Sequence, residues 1–528
     1  MPRLAARRGL LSPGSLRRAR GARRRRRARA DRGGLRGRGR RRPARGLLAD
    51  PGRQRARAPA LRRGGRRDPV HEIPAPPAVS ALALAACLAL ILLGGCATPQ
   101  GDAPATLTGV RFAPVSPPRG TRQSNRELAE DFLDLTFALE NGETLPALLR
   151  YERPVRIYMG SPELAEYAPD LAQLLLRIRR EAGIDIARTD DPAKALIFIE
   201  AVPAHEIAAV FPTAACFIAP GERDWKGFRA RAAETHPRWS AQKALGEAAI
   251  FLPTDSTPQD TRDCLAEEIT QALGPANDLY RLPDSIWNDD NFHGMPTSFD
   301  MTILRALYQP ELHSGMTREA VAAVLPRVLA RTNPMGRNLA PRKRAPESRV
   351  WGDAIEAAQA PDAPREERIR AGLLATGLAA EMRPPDHRLG VAELALGRAT
   401  LGRDPAFAAH QFAEAYAGFR DRLGPHDIRT AQAGVHLAAL ALGAGDTDSA
   451  IRLAERHMPD AVAYQNAILA ASFMSIKAEA LAAQGAEAAA AEARLDSLRW
   501  ARYGFGDPDG ALAREQIALA ADLAEPRK

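Results

Sequence analysis

The chain has 528 residues, 45% of them apolar and 26% charged, which is enough for two or three folded domains with tails. Its formal charge of +11 is unevenly placed: residues 1–95 hold 26 arginines, no lysine and four acids, a balance of +22, so residues 96–528 carry −11. The basic character belongs to the leader, which leaves the folded part no charge basis for binding nucleic acid, and no Walker or dinucleotide glycine fingerprint points to a nucleotide.

Residues 1–69 read as a disordered Arg-rich leader, with runs at Arg23 to Arg27 and Arg40 to Arg42. The export-type segment directly after the leader favours upstream sequence translated from an early start site, or a long export region, over a nucleic-acid arm. Residues 70–95 read as a lipoprotein signal peptide. Val79 to Leu93 is apolar or small, a length that suits a signal-peptide core and is short for a membrane-spanning helix. It runs into Leu93-Gly94-Gly95-Cys96, which resembles a lipobox, in which the cysteine is lipidated and becomes the first mature residue. Ala97 in place of Asp after the lipid site points to the outer membrane, facing the periplasm. The expected address is the cell envelope, with the membrane as partner through lipid on Cys96; each buried methylene of such an anchor adds about 0.8 kcal/mol. Residues 96–123, with Pro99, Pro104, Pro114, Pro117 and Pro118, read as a tether.

Folding is expected to begin at Ser124-Asn125-Arg126-Glu127, a capping box ahead of Leu128, Phe132, Leu135 and Leu139 at helical spacing. Val155 to Met159 alternates as a half-buried strand, Leu171 to Arg180 is an amphipathic helix, and strands are expected at Ala195 to Ile199, Ala214 to Ile218 and Ala248 to Leu252. That order, closed by a helix after Cys264, predicts an α+β domain with a mixed sheet over residues 124–331. Cys216 and Cys264 are an even pair in an oxidising compartment, so a bridge between them is expected.

The helix after Cys264 carries the candidate site. Laid over the zinc-protease template H-E-x-x-H-x-x-G-x-x-H, it places Glu267 and Gln271 at the helical ligand positions, Glu268 at the general-base position, Gly274 at the turn glycine, and Asn277 or Asp278 at the third ligand. Residues four apart share a helix face, so such a pair can grip one ion while the glutamate beside the first reaches a bound water. Here every position is an oxygen donor, whereas zinc prefers nitrogen and sulfur, so no catalytic zinc is expected. An oxygen set suits calcium or magnesium, with His293 or His313 as a recruited ligand.

These segments resemble the metzincin zinc proteases. Ser285 to Asp290 falls where those carry a methionine turn, though no methionine occupies it, and Ser298 to Tyr308 is similar to the closing helix of matrixins, which ends in Leu-Tyr. Over roughly Ser124 to Leu329, through Leu307-Tyr308-Gln309-Pro310 and Gly315-Met316, the chain also resembles a family of bacterial lipoproteins of unknown function. The resemblances imply a zincin-like fold and an envelope address. They also imply that the strand beside the Cys264 helix is the one which, in zincins, holds peptides by strand addition.

Residues 332–366, with Pro334, Pro341, Pro346, Pro361 and Pro364 and the basic Arg342-Lys343-Arg344, read as a linker. Residues 367–528 turn alanine-rich and helical, and the segment before Gly424 is echoed before Gly504, 80 residues on, which suggests two periods of about 40. Together with Leu423-Gly424-Pro425-His426 this resembles the long tetratricopeptide variant of kinesin light chains and implies stacked helix pairs with a surface for a partner. The expected function is an envelope lipoprotein whose inactive metzincin-like domain binds a peptide, glycan or envelope protein, helped by the repeats. The alternatives are a metal-dependent hydrolase with Glu268 as general base, and a purely structural scaffold, which would turn the polar residues of the site helix to solvent.

Overall fold

The computed structural model describes Phe112, Thr121 and residues 123–211, 214–231 and 239–506, all within one compact unit. The leader, the signal peptide, Cys96 and nearly all of the tether lie outside the described residues.

Ser124 caps α1 (Asn125–Thr136) with the expected reciprocal box: its Oγ accepts from the Glu127 N–H at 3.2 Å and Glu127 Oε2 accepts from the Ser124 N–H at 3.0 Å. After a turn closed by the antiparallel bridge between Ala138 and Thr144 come β1 (Val155–Met159), α2 (Ala168–Ala182), β2 (Ile186–Arg188) and β3 (Ile197–Val202). Then come α3 (Ala204–Val210), β4 (Phe217–Pro220), α4 (Trp225–Arg231), β5 (Ala248–Pro253), α5 (Pro258–Ala272), α6 (Ser298–Leu307) and α7 (Arg318–Thr332). The sheet order is β2-β1-β3-β5-β4, parallel except for β4, which runs antiparallel to β5 at the edge.

The four expected strands are present. The short β2 is an addition to them, because three residues with one buried isoleucine carry too little alternation to read. One sheet face packs on α2 through Leu171, Leu174, Leu175 and Ile178. The other is closed by an aromatic group of Phe211, Phe217, Trp225, Phe228 and Phe251. Cys216 and Cys264 are disulfide-bonded, tying the residue before β4 to α5 across a 48-residue separation.

The stretch expected as a linker is built into the fold. Pro334–Asn338 is a 3₁₀ turn, Arg342 Nε donates to Glu127 Oε1 at 3.1 Å, and Arg344 NH1 donates to the buried Asp131 Oδ2 at 2.6 Å, so the basic residues strap the chain to α1. It then enters α8 (Arg349–Gln359), whose Trp351 is fully buried. The proline content reads as a linker because nothing local reveals the acidic partners on α1.

Beyond it stand α9 (Arg365–Ala380), α10 (Arg388–Thr400), α11 (Pro405–Leu423), α12 (Ile428–Gly443), α13 (Thr447–Ala463), α14 (Ala467–Ala483) and α15 (Glu487–Phe505), stacked as antiparallel pairs. The first helices of three pairs start at Arg388, Ile428 and Ala467 and the second at Pro405, Thr447 and Glu487, so the repeat of about 40 is real. Its phase needs correction. Gly424 ends α11, and its counterpart is Gly506 at the end of α15, both at positive φ. Gly504 sits inside α15, where an added Cβ would lie 2.8 Å from the Ile468 nitrogen.

Candidate functional site

Helix α5 starts at a Thr257 capping box, with Pro258 in its first turn, and then buries every residue from Thr261 to Ala272. A helix buried all round ought to be apolar, yet this one carries Glu267 at 3%, Glu268 at 0% and Gln271 at 1% exposure. Such groups need partners, and a helix that turned its polar residues to solvent is ruled out.

Part of the expected arrangement is formed. Gln271 Nε2 donates to Asp278 Oδ2 at 2.8 Å, so the second helical position and the residue past the turn do converge. Gly274 makes the turn at φ +139°, and a Cβ there would lie 2.6 Å from the Leu149 carbonyl oxygen and 2.7 Å from a Leu307 methyl. That position admits glycine alone. Of the two candidates beyond it, Asn277 faces away, donating through Nδ2 to the Asp134 carbonyl at 2.9 Å, and Asp278 is the one that reaches the site. Burial pushes the Asp278 carboxyl well above the usual carboxylate range, helped by Glu140, Asp289 and Glu267 nearby.

Two of those neighbours escape sequence reasoning. Glu140 lies on the turn after α1 and Asp289 on the loop before α6; with Asp278 they place carboxylate oxygens within 4.8 Å of one another. No local pattern marks them, since the three acids come from separate segments. Neither histidine considered as a ligand joins them. His293 is turned toward the helical domain, its Nε2 3.0 Å from the Pro283 carbonyl oxygen, and His313 lies exposed with Nδ1 3.0 Å from the Ser314 carbonyl oxygen.

Beneath the helix, the loop from Ser285 to Asp290 is filled by Trp287. Its ring is fully buried and its Nε1 donates to Thr270 Oγ1 at 3.2 Å. Asp300, in the first turn of α6, holds this loop: its carboxylate accepts from Ser285 Oγ at 2.5 Å and from the Ile286 and Thr297 N–H groups.

The helical domain meets the start of α5. Gln259 Oε1 accepts from the Ala467 N–H at 3.0 Å, Arg262 NH2 donates to the Tyr503 carbonyl at 2.6 Å, and the Arg262 guanidinium lies 3.7 Å from the Tyr503 ring centroid. Further along, the buried Asp290 accepts two hydrogen bonds from the buried Arg429 at 2.7 and 2.9 Å, and His387 Nε2 lies 2.9 Å from the Tyr280 carbonyl oxygen. Beside this seam runs a groove between the Asp290 to Phe292 loop and α8, α9, α10 and α12, with Val391, Leu394 and Ala395 on its apolar wall and Arg368 and Arg398 on its charged one. Arg368 Nε is buried and makes no hydrogen bond. Burial pulls Arg398 down to about 10, and its Nε donates to His436 Nε2. Neither guanidinium forms an ion pair among the described residues.

No curated protein and no solved structure matches the chain. Residues 125–327 match the model of a family described as a protein of unknown function (DUF2927), a range that opens with α1, ends inside α7 and stops short of the helical repeats.

Proposed function

We propose that the chain is an envelope lipoprotein that binds an acidic peptide segment of a partner, in the groove between its two domains, without hydrolysing it. The lipobox-like Leu93-Gly94-Gly95-Cys96 supports the anchor and the address. The zincin-like geometry around Gln271 and Asp278 lacks histidine, and the helix bearing it is buried from Thr261 to Ala272, which supports a site retired from peptide cleavage. The observation that carries the reading is the groove itself, where Arg368 and Arg398 have no carboxylate partner among the described residues and stand beside an apolar wall. Guanidiniums placed this way recognise carboxylates through charge-assisted, paired hydrogen bonds, whereas a neutral glycan would leave both charges uncompensated.

Fluorescence anisotropy of the full chain with short labelled acidic and neutral peptides tests it. Acidic peptides should bind saturably, binding should weaken with salt, and Arg368→Gln or Arg398→Gln should each weaken it about tenfold or more. Mass spectrometry of the same mixtures should show intact peptide. Equal binding of both peptide classes, or indifference to both substitutions, would sink the reading. Cleavage that disappears in Glu268→Gln would establish the metal-dependent hydrolase instead.

A further inference from the structure

We propose that Glu140, Asp278 and Asp289, completed by the side-chain oxygen of Gln271, form an oxygen-only site for a calcium-like divalent cation. The three carboxylates come from the turn after α1, the segment after Gly274 and the loop before α6, yet their oxygens lie within 4.8 Å of one another. Calcium binds oxygens at about 2.3–2.6 Å, so two ligands on opposite sides of one ion stand roughly 4.6–5.2 Å apart, and this group needs no large movement to share an ion.

Closeness of acids alone would not make a site. The independent observation is Gln271. Its amide head is at the cluster, because Nε2 donates to Asp278 Oδ2 at 2.8 Å; the residue is 1% exposed, and its Oε1 has no hydrogen-bond donor. A buried amide oxygen without a donor is an unfilled acceptor; a cation that neutralises Asp278 releases Nε2 from it, and the amide then turns that oxygen toward the carboxylates. A cation then takes the oxygen of Gln271 and offsets the crowding of Asp278 against Glu140, Asp289 and Glu267. The donor set has no nitrogen or sulfur, which selects a hard ion and rejects zinc.

The consequence reaches the domain junction. Asp289 precedes Asp290, which holds Arg429 of the repeats, so an ion on Asp289 stiffens the loop that docks the helical domain.

The test uses the full chain after exhaustive dialysis against a chelator, titrated with calcium, magnesium, manganese and zinc chlorides by calorimetry, with the melting temperature followed in parallel. Calcium should bind one ion per chain and raise the melting temperature by about 5 °C at a hundredfold excess over its dissociation constant. Asp278→Asn should abolish binding. Glu140→Gln, on a partly exposed turn, should weaken it about tenfold or more and serves where the buried substitution fails to fold; Asp190→Asn, on an exposed pair with Arg188, should leave it unchanged. No heat and no thermal shift with any hard cation at millimolar concentration, unaltered binding in Glu140→Gln, or a preference for zinc would each overturn the proposal. Peptide binding in the groove is measured with chelator present, so failure of that reading and failure of this one are separable.

Discussion

In the sheet domain the central helix α5 is enclosed on every side and still keeps Arg262, Asp263, Glu267, Glu268 and Gln271 inside, whereas the repeats bury mostly alanine, as at Ala431, Ala433, Ala438 and Ala439 of α12. The repeats gain closeness from what they lack. A Cβ on Gly397 would lie 2.6 Å from the Phe412 ring, so the two helices of that pair touch through a missing side chain. The sheet domain instead depends on a few residues of fixed identity, among them Gly274, Trp287 and Asp300. A design of interchangeable small residues tolerates change at most positions. One of unique polar contacts depends on the contacts themselves, which is why the buried carboxylate cluster falls in the first half, while the groove takes its arginines from the second.

The seam between the halves breaks the comparison most sharply, because there the repeats too bury charge. Asp290→Ala leaves the Arg429 guanidinium buried with only Asp427, 3.5 Å away, as an acid within salt-bridge reach among the described residues. Removing one member of a buried pair costs about 3–5 kcal/mol. Guanidinium denaturation followed by circular dichroism should show one cooperative transition in the native chain and two in the variant, with the repeats unfolding separately from the sheet domain. A single transition with an unshifted midpoint would mean that the pair does not hold the seam.

A second expectation concerns protons at the same seam. Burial lowers His293 to about 4, with Arg429 adding to the effect, and lowers His387 to about 3, again by burial first. Both fold neutral, so their contribution to stability is whole above the ordinary value near 6.5 and is lost as pH falls toward 4 and 3, where the unfolded chain takes up protons first. Asp290 has the opposite sign: burial raises it to about 6, so the folded chain gains stability as pH falls from 6 toward the usual carboxylate value. Side-chain NMR should find both imidazoles neutral at pH 5 in the folded chain. Rings titrating near 6.5 would show that the seam is open to water.

Much of the sheet domain is legible in the sequence, and the reasons are local. The Ser124 box, four strands, the Cys216 to Cys264 bridge and the Gly274 turn each rest on residues a few positions apart or on a pairing forced by number. The site is half legible. Gln271 and Asp278 lie within one helix-turn motif, but Glu140 and Asp289 reach them only through the fold, as does the acidic face of α1 that turns an apparent linker into a strap. In the repeats the period can be read while its phase slips by two residues, because Gly504 and Gly506 are both glycine and only one ends a helix.

The smallest expected effect compares helix starts in the two halves. Ser124 and Glu127 cap α1 from inside the fold, with Arg342 of the strap on Glu127, whereas Asp446 caps α13 from an exposed turn by accepting the Ser449 N–H at 3.0 Å. Ser124→Ala removes one acceptor and leaves a buried N–H unmet, for a loss of about 1 kcal/mol in the sheet-domain transition. Asp446→Ala should shift the repeats less, since water replaces an exposed cap and neighbouring pairs share the load. Equal shifts would mean that the strap adds nothing to the cap. A larger shift for Asp446→Ala would mean that the repeats, for all their interchangeable packing, depend on their turns more than on their alanines.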